Sequence, residues 1–424
     1  MSDRDFDVVV FGATSVTGRR VASYLASRMG EAEFRWAAGA RDAGRAREVL
    51  AEEGVVAPDT VVADVGDPQS LAVMAARARV VLNLVGPYTL HGRPVIEACV
   101  DAGTDYADLT GEIPLVRRVI AEFDERARES GTKLVQVCGF EALPPDLAVA
   151  LLAEAAAERW EDDLAEVDLA VAMTGGPPMP PRPSDFISGG TLQSLAAATG
   201  DPDSAVIVDP ACLVTDKDMA DAIRRASPVS VVPRRGPGGE VVAPMAPSAF
   251  INPSVIHRSA ALRAAKAGGH LEPFAYREGI AIRGGTATLP VRYAVAGALA
   301  GTQAAIGRMA QTGTAFRDRA ARAMSKVFPD SGAGPAADRL EAWRWRMDLR
   351  GVTRGGRELS AGVDADGHPG YLATARMLGE AGLLLAEEGA TPDGAGCLTP
   401  SAALGTERIE RFDRAGLRFE PVVG

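Results

Sequence analysis

The sequence predicts an α/β protein: a doubly wound parallel sheet first, then a second, mixed α/β domain. Three observations predict it. Short continuous apolar runs alternate with helical periodicity over residues 6–140. A glycine-bounded turn, Gly12-Ala13-Thr14-Ser15-Val16-Thr17-Gly18, joins the first run to the first helix. After Pro144-Pro145 the texture becomes richer in Gly/Pro breaks. Continuous apolar strands suit a sheet buried on both faces. Strands alternating with helices give parallel neighbours through right-handed crossovers, which is the Rossmann-type arrangement.

Phe6–Phe11 reads as the first strand. A helix follows from about Val16, with Val21, Leu25 and Met29 four apart on one face and Gly30 placed to stop it. Phe34–Ala38, Thr60–Ala63 and Val80–Val85 read as strands two to four, with helices at Ala43–Glu53 and Ser70–Arg79. A helix is expected from Pro94, suited to a first turn, to Gly103. Another runs from Ile113 to Ser130, before a strand at Lys133–Cys138. Beyond Pro145, strands are expected at Ala165–Met173 and Ser227–Val232, a rigid loop at 175–183, and a hairpin or linker at 233–239. Ala294–Gln311 reads as an Ala-rich helix, core or dimer contact in preference to an acyl tunnel or a membrane-resting face. The tail holds a helix near Tyr371–Glu388 and a strand at Gly416–Pro421. The expected division is a dinucleotide-binding domain over 1–145 and a substrate-binding and dimerisation domain over 146–365. For the C-terminal segment, 366–424, packing back on the first domain is one arrangement.

At 424 residues the chain is too long for one ordinary core. A net charge of −11 argues against nucleic acid as a partner. Cys99, Cys138, Cys212 and Cys397 form no CxxC pair, and His91, His257, His270 and His368 form no metal-ligand spacing, so no metal is expected. The acidic start, MSDRDFD, does not read as a signal peptide. The longest charge-free apolar stretch, Tyr293 to Gly307, is too short for a transmembrane segment, and a cytoplasmic protein is expected.

Four motifs carry chemistry. A pyrophosphate needs open backbone N–H groups and the positive end of a helix dipole, which Gly12 to Gly18 supplies between a strand and a helix. Arg41 ends strand two, where a 2′-phosphate requires a guanidinium; Arg45 and Arg47 follow, and Asp42 is the alternative that would serve NAD(H). NADP(H) is therefore the favoured cofactor. Asp64 ends strand three, either near the adenine or capping the next turn. Val85, Gly86, Pro87 and Tyr88 end strand four, where the nicotinamide half of a cofactor lies in this fold. Tyr88 and His91 are the candidate proton donors, with a buried tyrosine supporting its loop as the alternative. Ser188-Gly189-Gly190-Thr191 either caps the helix Leu192–Ala198 or meets the nicotinamide ribose or substrate.

The stretches VVVFGATSVTGRRVASYLA, NLVGPYTLHGRPVIEACVDAGTDYADLTGE and VCGFEALPPDL resemble the saccharopine dehydrogenase-like oxidoreductases. SGGTLQS, APMAPSAFINPSVIHRSAAL and HPGYLATARMLGEAGLLLAEE look most like their trans-acting enoyl reductase branch. The resemblance implies NADPH-dependent reduction of an activated C=C bond on a hydrophobic acyl, lipid or polyketide-like substrate, free or carrier-bound. It places Gly12, Thr14, Thr17 and Gly18 on the phosphates, Arg41 on the 2′-phosphate, and Gly86, Pro87 and Tyr88 at the nicotinamide. Ser15 departs from the pattern, standing where the family commonly has a glycine. Two other readings stay open: a C=N or C=O oxidoreductase, and a nucleotide-binding partner protein without turnover. A homodimer is compatible with all three.

Overall fold

The computed structural model describes residues 4–424 apart from 32, 57–58, 178–179, 181, 183–184, 186–188, 237–238, 245–246, 270–271 and 328–336. Strand and helix alternate first: β1 (Phe6–Phe11), α1 (Val16–Arg28), β2 (Trp36–Ala40), α2 (Ala43–Glu52), β3 (Asp59–Val62), α3 (Pro68–Arg77), β4 (Ala78–Asn83), α4 (Tyr88–Ala102), β5 (Asp105–Asp108), α5 (Ile113–Ser130) and β6 (Lys133–Val135). Then come α6 (Leu143–Trp160), β7 (Leu164–Met173), α7 (Gly189–Gly200), α8 (Lys217–Ala226), β8 (Arg234–Arg235), β9 (Val241–Ala243), α9 (Asn252–Lys266), β10 (Ala275–Ile282) and α10 (Leu289–Ala310). The remainder holds α11 (Thr314–Val327), α12 (Ala337–Glu341), β11 (Arg344–Thr353), β12 (Glu358–Asp366), α13 (Thr374–Ala386), β13 (Gly396–Leu398), α14 (Pro400–Leu404) and β14 (Leu417–Phe419).

Among the described residues these strands form two seven-stranded sheets. The first, β3-β2-β1-β4-β5-β6-β13, is parallel throughout. Its order reverses between β1 and β4, the point at which open α/β sheets bind ligands beyond their carboxyl ends. The second, β14-β12-β11-β7-β10-β9-β8, is mixed, with β7 and β10 parallel and its other pairs antiparallel. Helix α6 is apolar almost all round, as a helix enclosed on every side must be. Its Leu147, Val149 and Leu152 belong to one buried cluster that includes Val10 and Leu82 of the first sheet and Val167 and Met347 of the second.

Several local expectations shift. Strands β2 and β4 are displaced by two residues from the runs read in the sequence. Pro94 lies inside α4, which begins at Tyr88. That start is capped by Glu112, whose carboxylate accepts from the N–H groups of Tyr88 at 3.0 Å and Thr89 at 2.6 Å, and a cap from 24 residues away leaves no local signal. Pro144 and Pro145 open α6, where a missing N–H is harmless. Ser227–Val232 is no strand. The Ser227 hydroxyl accepts from the Tyr276 N–H at 2.9 Å, so a side chain stands where ladder bonds were expected. Helix α10 buries one strip from Arg292 through Ala296, Ala300, Gln303 and Gly307 to Ala310, with Ala296 clustered on Val241 and Ala243, and leaves Val291, Val295 and Leu299 exposed.

The tail is divided between the two sheets. Helix α13 lies along α1 and over β1, β4 and β5. Strand β13 extends the first sheet, with Gly396 opposite Lys133 and Leu398 opposite Val135. Strand β14 pairs with β12 in the second. No helix among the described residues is long and apolar enough to cross a membrane.

Candidate functional site

The turn after β1 is shaped for an anion. Gly12 has φ +87°, and a Cβ there would lie 2.9 Å from the Leu84 carbonyl carbon. A Cβ on Gly18 would lie 2.2 Å from the Gly12 oxygen. Only hydrogen fits at both positions, which brings the helix start against the strand end. The N–H groups of Gly12 and Ala13 donate to Gly39. Those of Thr14, Val16 and Thr17 have no acceptor among the described residues and face the dipole's positive end. Ser15 is the N-cap of α1, its hydroxyl accepting from the Gly18 N–H at 3.0 Å. The serine thus holds the loop from within and takes up one donor that a phosphate oxygen would otherwise use.

At the end of β2 the arginines and the carboxylate separate by role. Asp42 caps α2 by accepting from the Arg45 N–H at 2.9 Å. Arg45 pairs with Glu48, and Arg47 donates to Thr60. Arg41 is exposed and has no ion-pair partner among the described residues, which suits a guanidinium awaiting a 2′-phosphate. Arg41→Ala is expected to weaken NADPH binding about ten- to a hundredfold, the range of one charge-assisted contact of ~1.5–3 kcal/mol, while NADH binding holds. Calorimetry with both cofactors checks it; an equal loss for both would exclude the role. Asp64 accepts from the Gly66 N–H at 2.8 Å, the turn-capping alternative.

Beyond β4 the loop is held from below. Asn83 Oδ1 accepts from the Val85 N–H at 3.0 Å, and its amide donates to the Tyr106 hydroxyl at 3.0 Å. Tyr106 in turn donates to Asp108 at 2.7 Å. Asp108 also accepts from the N–H groups of Thr110 at 3.0 Å and Val137 at 3.3 Å. Burial pushes its carboxyl up to about 6 despite these donors. Tyr88 is buried, and its hydroxyl donates to the Asn83 carbonyl at 3.2 Å. Burial pushes that phenol far above its ordinary value. The geometry favours Tyr88 as a support of the loop. His91 is half-buried in the first turn of α4.

A second polar group faces this edge from the other sheet. Ile251 packs against Gly111, joining the loop before α9 to the loop after β5. Beside it the Ser248 hydroxyl donates to Glu141 at 3.0 Å, and Glu141 lies in the loop beyond β6. Asn252, the first residue of α9, donates to Glu278 Oε2 at 2.9 Å, and the Tyr276 hydroxyl donates to the same oxygen at 2.7 Å. Sequence reading missed Asp108, Glu112, Glu141 and Glu278. The polar Asp-Leu-Thr-Gly-Glu run that begins at the last residue of β5 was the available signal for the first two; Glu278 had none.

Other expected contributors stand apart. Arg234 is tied to Asp168 at 2.8 Å and is unavailable to a substrate carboxylate. Arg235 and Arg182 are exposed. Ser188 and His270 lie outside the described residues. A concavity of about 790 Å3 opens on the outer face of the second sheet, lined by Asp168, Arg283, Asp348, Arg350 and Glu358. Within it Arg283 pairs with Asp348 and Arg350 with Glu358, and none of its lining residues belongs to the first sheet.

Residues 8–135 match the family described as saccharopine dehydrogenase NADP binding domain. A protein of Mycobacterium tuberculosis is 35% identical over 98% of this chain and 97% of its own. The trans-acting enoyl reductase of Mycobacterium ulcerans is 33% identical, with 98% and 97% covered. Among solved structures, apo saccharopine dehydrogenase (L-Glu forming) of Saccharomyces cerevisiae shares the fold, at a TM-score of 0.52 and 15% identity over 99% of this chain and 100% of that one.

Proposed function

The chain belongs to the saccharopine dehydrogenase-like oxidoreductases, in their trans-acting enoyl reductase branch, and we propose that it reduces the activated carbon–carbon double bond of a hydrophobic acyl, lipid or polyketide-like substrate. It is an NAD(P)-dependent oxidoreductase with NADP(H) as its cofactor. The observation that carries the finer reading is the end-to-end similarity to proteins named trans-acting enoyl reductases, which includes the second sheet and the tail as well as the nucleotide-binding part. A reductase acting in trans meets its substrate on a separate carrier or synthase, so the expected acceptor is an enoyl thioester.

The described residues fit the cofactor. Thr14, Val16 and Thr17 offer three open N–H groups for its pyrophosphate, and Arg41 offers a guanidinium for its 2′-phosphate. The Val85-Gly86-Pro87 loop, fixed by Asn83 and Tyr88, would receive the nicotinamide half. When bound, NADPH supplies a hydride. The chain's part is to hold the acceptor over the carboxyl edge of β4 and β5, keep water out, and deliver one proton.

NADPH consumption over a panel of enoyl thioesters, imines and 2-oxo acids tests this reading. Turnover is expected with pantetheine-linked enoyl thioesters, giving the saturated thioester. Reduction of imines or 2-oxo acids alone would place the chain with C=N or C=O oxidoreductases instead. Binding of NADPH without turnover on any class would mark a partner protein.

A further inference from the structure

We infer that Glu141 and Glu278 form a proton-delivering carboxyl pair where the two sheets meet, Glu278 storing the proton and Glu141 passing it to the reduced substrate. This assignment rests on the alkene-reduction reading above, which requires one proton at the carbon next to the carbonyl.

The first support is an unmet hydrogen-bonding need. Glu278 is 4% exposed and Asn252 3% exposed. Glu278 Oε2 accepts from Asn252 and Tyr276, while Glu278 Oε1 and Asn252 Oδ1 are buried with no partner. Two orphaned acceptors belong to one bonded pair, and a single proton on Oε1, given to Asn252 Oδ1 as in a cyclic acid–amide pair, would meet both needs. The surroundings favour that neutral acid. Burial, with the charge of Glu141 assisting, pushes the Glu278 carboxyl up to about 7, against the hydrogen bonds from Tyr276 and Asn252. Arg234 adds little positive charge, since it is bound to Asp168 on the opposite face of the sheet.

The second support is position. Glu141 follows β6 at the carboxyl edge of the first sheet, is half-buried, and is held by Ser248, four residues before Asn252. Burial raises its carboxyl too. The charge of Glu141 is among the influences that raise the Glu278 carboxyl, so the two lie within electrostatic reach of each other. Four other buried groups do not serve. The Tyr88 and Tyr106 protons are engaged within the loop support. Both oxygens of Asp108 are filled by donors. His257 is wholly buried and stays neutral, its pKa lowered to about 3 by burial.

The step balances. The substrate carbanion takes the proton from the Glu141 carboxyl, forming a C–H bond and leaving a carboxylate. That proton reaches Glu141 from Glu278, and Glu278, left as a carboxylate, takes its next one from solvent.

Infrared titration of the protein without substrate, compared with Glu278→Gln, tests the store directly. The glutamine reproduces the neutral geometry, with its amide N–H facing Asn252, and so keeps the fold. A protonated carboxyl that titrates near neutrality in the parent and is missing in Glu278→Gln is expected; its absence from the parent, or persistence in the variant, overturns the pair. Turnover tests delivery. Glu141→Gln should lower the rate about a hundredfold with NADPH affinity intact. The parent rate should fall as pH rises through the pair's apparent pKa. In Glu278→Gln the fall should move to lower pH, because the like charge is gone. Unaltered rates and pH profiles in both variants would overturn delivery. A parent that shows the titrating carboxyl but reduces no enoyl thioester would instead count against the alkene reading.

Discussion

Gly18→Ala is expected to weaken NADPH binding by at least about a hundredfold while the protein stays folded. The new methyl would lie 2.2 Å from the Gly12 oxygen, 2.8 Å from Ser15 Oγ and 3.0 Å from Ala13 Cα. Two of these three are backbone atoms of the turn, so the turn has to move. The turn carries the open N–H groups of Thr14, Val16 and Thr17. Displacing them misaims two or three hydrogen bonds to a charged group, each worth ~1.5–3 kcal/mol. Overpacking at one site costs the fold only about 1–3 kcal/mol, which a chain of this size tolerates. Gly30→Ala is the control, because a Cβ there meets nothing within 4 Å. Calorimetry with NADPH, beside circular dichroism of both variants, separates loss of binding from loss of fold. Equal affinities in the two variants would show that this turn does not hold the pyrophosphate.

Glu380→Ala is expected to cost about 3–5 kcal/mol of stability, the range for removing one partner of a buried ion pair. Glu380 is wholly buried on α13. Its Oε2 accepts from the Tyr24 hydroxyl at 2.5 Å and from Arg28 Nε at 3.3 Å, and its Oε1 from Arg411 Nε at 2.8 Å. Tyr24 and Arg28 lie on α1, so this one carboxylate ties the tail to the first helix of the nucleotide-binding sheet. Without it the Arg28 guanidinium, 3% exposed, loses its buried carboxylate partner and keeps the exposed Glu31 as its ion pair among the described residues. Glu380→Gln, which keeps the acceptor oxygen, should lose less. Denaturant unfolding followed by tryptophan fluorescence measures both. A midpoint for Glu380→Ala equal to the parent's would mean that the tail docks by apolar contact alone.

The parallel sheet was legible because its signals are local. Phe6–Phe11 is apolar at almost every position, as burial on both faces demands, and it forms β1 as read. The periodicity of Ile113–Ser130 matches α5 end to end. The turn between Gly12 and Gly18 was visible because a strand end, a glycine pair and a helix start occur within seven residues. Arg41 stood out because its position at a strand end gives its charge a meaning. Asp42 was ambiguous until the structure showed its carboxylate capping α2.

What the sequence by itself determined is therefore most of the nucleotide-binding half: β1 to β4 and β6, the turn between Gly12 and Gly18, and a guanidinium at the end of β2, whereas β5 went unread. These depend on hydrophobic period, turn chemistry and helix ends, all set within about ten residues. Tertiary structure alone decided the rest. Nothing in Gly396–Leu398 indicates that three residues from the tail will pair with Lys133–Val135 and extend the first sheet. The start of α4 depended on Glu112, 24 residues away from Tyr88. Nothing local marks Glu278, in a strand the sequence reading did not find, until α9 brings Asn252 against it. In each case the partner lies far along the chain. Pairing at that distance is selected by the packing of whole elements, and a burial-dependent property such as the proton affinity of Glu278 exists only once those elements have met.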